Sequence, residues 1–118
     1  MTRKPEFENE KELVGAILKY AEAMNVYVEV AGQRKAKGSG STEGLTDIFV
    51  CVAGWYMPCE VKNGDTKVRL DQIACAMNRA DAGHPTAWVR CLQDFVDLVN
   101  FCRRNPRRTL PLPAHLAK

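Results

Sequence analysis

The sequence predicts an α/β domain built in the order helix, three strands, helix, strand, helix. Apolar residues recur at spacings of three and four in three separate stretches, and short runs rich in β-branched and aromatic residues lie between them. A length of 118 residues accommodates one such domain and no second catalytic one.

Residues 8–24 carry Leu13, Ala16, Ile17, Tyr20, Ala21 and Met24 on one helical face, with acidic residues in the first turn where the helix dipole favours them. Val26-Tyr27-Val28-Glu29-Val30 reads as a short strand. It ends in a Gly/Ser-rich stretch, residues 32–44, whose composition predicts a flexible loop. Residues 47–52 and 55–62 form a predicted hairpin around Ala53-Gly54. A second helix over 70–82 places Leu70, Ile73, Ala74, Met77 and Ala80 on one face and stops at Gly83 and Pro85. Residues 86–91 are a fourth strand. Phe95, Val96, Val99 and Cys102 mark a third helix, with Leu98 and Phe101 widening its apolar face. Prolines 106, 111 and 113 disfavour regular helix beyond it. The expected organisation is a domain over 1–104 and a basic, proline-rich tail over 105–118.

No stretch has the roughly 18 consecutive apolar residues of a membrane span, and the polar N-terminus lacks the apolar core of a signal peptide. These features predict a soluble protein, cytoplasmic or otherwise intracellular, with no membrane partner. The five cysteines form no C-x-x-C pair, which suggests buried free thiols rather than disulfides or a zinc knuckle. Met24, Met57 and Met77 read as core filler, and His84 and His115 as surface residues.

The net charge of +3 is unevenly spread: five of the seventeen basic residues and none of the fourteen acidic ones lie after residue 97. Arg103, Arg104, Arg107 and Arg108 form one basic patch, and Arg34, Lys35 and Lys37 form another in the loop. Together they predict a polyanionic partner, with Ser39 and Ser41 placed to hold a backbone phosphate.

Twelve residues separate Asp47 from Glu60-Val61-Lys62. Strand side chains alternate, so Glu60 and Lys62 share a face and Val61 packs on the other. With Ala53-Gly54 as a two-residue turn, Val52 pairs with Trp55, and counting outward sets Asp47 opposite Glu60. Two carboxylates so placed repel each other, and a divalent cation would remove that cost. Carboxylate oxygens plus waters are what Mg²⁺ prefers. Lys62 is placed to hold an attacking water or to stabilise charge on a phosphate.

Gly44-Leu45-Thr46-Asp47-Ile48, Cys59-Glu60-Val61-Lys62-Asn63-Gly64 and Val68-Arg69-Leu70-Asp71-Gln72 resemble the VRR-NUC branch of the PD-(D/E)XK nucleases, similar in outline to archaeal Holliday junction resolvases. The likeness runs from the first helix to about Val89. Thr46 departs from the proline usual there, a residue that fixes backbone and carries no catalytic atom. The resemblance implies a PD-(D/E)XK core in the order α-β-β-β-α-β-α, a mixed central sheet flanked by helices, and Mg²⁺-dependent cleavage of branched DNA, with Mn²⁺ as substitute. It implies that Asp47, Glu60 and the Val61 carbonyl bind metal, that Lys62 assists catalysis and that Gln72 supports the site. A first-helix acid completes it; Glu10 and Glu12 are the candidates, and Glu10 is preferred for standing three residues before Leu13.

Two symmetric cuts in a four-way junction further imply a homodimer, with the Phe95-Val96-Val99-Cys102 stripe or the hairpin tip at Trp55-Tyr56 as the shared patch unless each covers its own sheet. Trp55 has two other readings, stacking on a base or local packing. The alternative function is a nucleic-acid-binding module on the same fold that does not cut.

Overall fold

The structure, a computed structural model, describes residues 4–31 and 47–117. The first helix, α1 (Glu10–Ala23), begins where Asn9 caps it: Asn9 Oδ1 accepts the Glu12 N–H at 2.9 Å, and Glu12 Oε2 accepts the Glu8 N–H at 3.1 Å. The first bond satisfies a donor that the first turn leaves unpaired, and the second ties the residue before the cap to the helix. Leu13, Ile17 and Ala21, on one face at intervals of four, are buried.

Strand β1 (Tyr27–Val30) follows, and β2 (Ile48–Val52) and β3 (Trp55–Val61) form the expected hairpin. Ala53 and Gly54 both have positive φ, 49° and 82°, the signature of a two-residue turn whose twist matches the strands. Val52 pairs with Trp55 and Ile48 with Cys59. After β3 come α2 (Leu70–Asp81), β4 (Ala87–Val89), α3 (Leu92–Arg104) and a 3-10 turn at Ala114–Leu116. The sheet order is β1-β2-β3-β4, antiparallel except for the parallel β3–β4 pair. Element order and mixed sheet therefore match the expected α/β domain.

Pro58 lies within a strand that has neighbours on both sides, where a missing N–H is normally costly. Successive N–H groups point to opposite sides, and the Lys62 N–H donates to Val89 O on β4 at 2.8 Å. The nitrogen of Pro58, four residues earlier, faces the same side, where the β4 ladder begins only at Cys59.

One sheet face carries Ile48, Val50, Met57, Cys59 and Val61 and meets Leu13 and Ile17 of α1 and Phe95, Val99 and Cys102 of α3 in one buried core. The α3 stripe thus covers its own sheet and is not free to join a second copy. The other face carries Asp47, Phe49, Tyr56, Pro58, Glu60 and Lys62, and α2 reaches it through Gln72, its one buried residue. The apolar residues of α2 do not pack: Leu70 is 84% exposed and Met77 62%. Met24 is exposed as well, so of the three methionines expected in the core only Met57 is buried. Helical spacing predicted these faces, but α2 is oriented by its polar contact to Glu60, and Met24 caps α1 beyond its buried stripe.

The cysteines are free; Cys59 and Cys102 are buried, and Cys51, Cys75 and Cys91 are only half-buried. Trp55 packs locally rather than offering a contact patch. Its Nε1 donates to Asn105 O at 2.7 Å, its ring meets Phe101, and Arg107 lies over it at 4.5 Å. Among the described residues no helix is long and apolar enough to cross a membrane.

Candidate functional site

Asp47 stands one residue before β2, and the observed register extends to place it opposite Glu60. Its Oδ2 accepts the Val61 N–H at 2.8 Å. The carboxylate thus takes the place of the next strand residue and satisfies a β3 donor that the end of β2 would leave unpaired. The N–H and C=O of a strand residue point to the same side, so the Val61 carbonyl also faces the Asp47 side.

Glu60 sits in the interior strand, flanked by the Asp47 position on one side and its parallel partner Trp88 on the other. It is fully buried. Gln72 Nε2 donates to Glu60 Oε2 at 2.8 Å, and Gln72 Oε1 accepts the Arg69 N–H at 3.0 Å. The second bond fixes the amide's orientation, because a flip would set an NH₂ against an N–H and an oxygen against a carboxylate. Glu60 Oε1 is buried without a hydrogen-bond partner among the described residues. Burial first, and the charge of Asp47 second, push the Glu60 carboxyl up to about 7, against the opposing pull of Lys62, Arg79 and Arg69.

Lys62, two residues on, is buried at 5% exposure and its charge is felt at Glu60. Beyond it, Asn63 exchanges hydrogen bonds with the backbone of Phe7, which ties the segment before α1 to the end of β3.

Asp47, Glu60, Lys62 and Gln72 are therefore brought together, and the Val61 backbone lies between them. Glu10 is not tied to them by any hydrogen bond or ion pair among the described residues. Glu12 is engaged in the α1 cap. Arg34, Lys35, Lys37, Ser39 and Ser41 lie outside the described residues. In the last turn of α3, Arg103 donates to Met24 O at 2.6 Å at the end of α1 and Arg104 is exposed; in the tail, Arg107 lies over Trp55 and Arg108 is exposed. One residue missed by the sequence reading is Arg79. It follows Gln72 by seven positions, two helical turns, and that spacing was the signal for a second α2 residue on the same side as Gln72.

An orphaned buried oxygen beside a second carboxylate is a donor set that fits a hard divalent cation. Among the described residues no three His, Cys, Asp or Glu side chains gather into a cage. Mg²⁺ needs none, since it is commonly held by one or two carboxylates and keeps several waters. No protein-family model matches this chain, and neither a curated protein nor a solved structure does.

Proposed function

We propose that this protein is a Mg²⁺-dependent DNA endonuclease of the PD-(D/E)XK type, VRR-NUC branch, acting on branched DNA. The observation that carries the reading is Glu60: a fully buried carboxylate with one oxygen held by Gln72 and the other without a partner, on the same sheet face as Asp47 and Lys62. A buried, half-satisfied acid costs stability and needs a compensating role. A module that only binds a polyanion gains nothing from two acids facing it, which disfavours the non-cutting alternative.

Asp47, Glu60 and the Val61 carbonyl would hold Mg²⁺ or Mn²⁺, which supplies Lewis-acid charge and an acidified water when bound. Gln72 keeps the Glu60 carboxylate in one orientation. Lys62, whose charge acts on Glu60, positions a water or offsets charge growing on a phosphate oxygen. Arg34, Lys35 and Lys37, with the arginines at the end of α3 and in the tail, engage backbone phosphates. Two-fold symmetry would present two identical sites to the two equivalent strands of a four-way junction, but the α3 stripe and Trp55 are both used within one chain, so a homodimer would have to form through another surface.

The test is cleavage of labelled four-way junction, flap, duplex and single-stranded DNA with Mg²⁺, Mn²⁺ or EDTA, with light scattering at micromolar protein. Metal-dependent strand breaks in a branched substrate support the reading. Intact DNA under every condition overturns it.

A further inference from the structure

Beside the acid pair, on the same face of the sheet, a cavity of about 520 Å³ opens between the β2–β3 hairpin, the end of α2 and the tail. Its volume is within the range of pockets that take small organic ligands. The floor is Phe49, Tyr56 and Pro58; Phe49 lies two residues from Asp47 and Pro58 two residues from Glu60. That separation is about 7 Å along a strand, so the floor begins one side-chain step from the carboxylates.

The floor is aromatic and set in place. The Phe49 and Tyr56 rings stack with centroids 5.1 Å apart and planes 15° from parallel. Tyr56 is 55% exposed, yet its hydroxyl donates to Glu29 Oε1 at 2.5 Å, which fixes the ring while leaving much of it uncovered. The Glu29 hydrogen bond, with smaller contributions from desolvation and neighbouring charges, pushes this phenol up to about 12, so it stays neutral.

The walls are cationic. Arg79 spends one nitrogen on Thr86 Oγ1 at 3.0 Å and keeps other donors, and its charge reaches Glu60. Arg107 is held at the rim by two contacts: its N–H donates to Ala53 O at 2.8 Å and its guanidinium lies over Trp55. A Cβ on Gly54 would fall 1.9 Å from Arg107 O, so this approach of tail to hairpin requires glycine. No carboxylate lines the cavity among the described residues.

A flat aromatic platform with guanidiniums at its edge, and with the neighbouring Glu29 carboxylate taken up by the Tyr56 hydroxyl, suits a planar, apolar group attached to an anion. We infer that this cavity receives the base of an unpaired nucleotide next to the bond presented to Asp47 and Glu60, with Arg79 and Arg107 on its flanking phosphates. The inference rests on the proposed nuclease reading and narrows its substrate. A paired base is stacked inside the helix and cannot reach the platform, so single-stranded, flap or branch-point nucleotides are favoured over continuous duplex.

The test is fluorescence anisotropy of the full chain with a labelled single-stranded oligonucleotide and with the matching duplex, both in EDTA. Stacking of one base predicts that Tyr56→Ala weakens single-strand binding about tenfold, changes duplex binding less than twofold, and that Tyr56→Phe retains most of the affinity. Arg107→Ala, an exposed tail position that leaves the core intact, weakens single-strand binding several-fold. Equal losses on both DNAs from Tyr56→Ala, or no loss in either alanine variant, overturn the inference. Because binding is read without metal, Tyr56-dependent capture of single strands by a protein that cuts nothing leaves the subsite standing and removes the nuclease.

Discussion

Gln72 holds one oxygen of Glu60 at 2.8 Å while its own carbonyl accepts the Arg69 N–H, so one side chain both starts α2 and orients the buried acid. This double role explains why α2 presents a polar residue to the sheet and leaves its apolar stripe outside.

Gln72→Leu removes both bonds. Hydrogen bonds to charged groups contribute about 1.5–3 kcal/mol, so urea denaturation is expected to show a loss of roughly 2 kcal/mol. Cleavage should fall at least tenfold. Gln72→Glu restores the cap acceptor but sets a second charge against Glu60, and its activity profile should move to higher pH.

The Glu60 carboxyl, pushed up from 4.5 to about 7, makes stability pH-dependent in the absence of metal. Between those values the folded protein keeps a proton that the unfolded chain releases. Stability is therefore fully present below pH 4.5, declines as pH rises, and has lost on the order of 3 kcal/mol above pH 7. Glu60→Gln should abolish this decline and raise the thermal midpoint at pH 8 while eliminating cleavage. Thermal melts from pH 5 to pH 8, with and without EDTA, read the sign.

Asp47 satisfies the Val61 N–H, so its substitutions should separate structure from chemistry. Asp47→Asn keeps an acceptor and should fold with near-normal stability. Asp47→Ala leaves a donor unpaired and should cost about 1–3 kcal/mol, although it also relieves carboxylate repulsion. Both should lose cleavage; circular dichroism melts distinguish them.

The Glu12 side chain ties the segment before α1 to its first turn by accepting the Glu8 N–H, a bond Glu10 does not make. Glu12→Ala should lower stability by about 1 kcal/mol with modest effect on turnover. Glu10→Ala should do the reverse if it completes the site, and equal turnover in the two variants would remove Glu10 from it.

The parts of this architecture that were legible in the sequence are those set by local rules. A two-residue turn at Ala53-Gly54 fixes the hairpin register, and the register alone sets Asp47 in line with Glu60. The same alternation places Phe49, Tyr56 and Pro58 on that face, so the floor of the cavity was available to the same counting. The rest depends on long-range contacts that carry no periodic signal. The path of the tail over Trp55 is set by two single hydrogen bonds, one that Asn105 O accepts from Trp55 Nε1 and one that the Arg107 N–H donates to Ala53 O. The outward stripe of α2 reverses what its spacing suggests, because the buried Gln72–Glu60 bond decides which side faces the sheet.

The most direct measurement is Mg²⁺-dependent cleavage of a labelled branched DNA by the wild-type protein and Glu60→Gln, purified in parallel. Glutamine keeps the size of the side chain and removes its charge. Strand breaks from the wild type alone, abolished by EDTA, are the predicted result. Equal cleavage by both proteins, or none by the wild type, contradicts the assignment of Glu60 to a metal-dependent nuclease site.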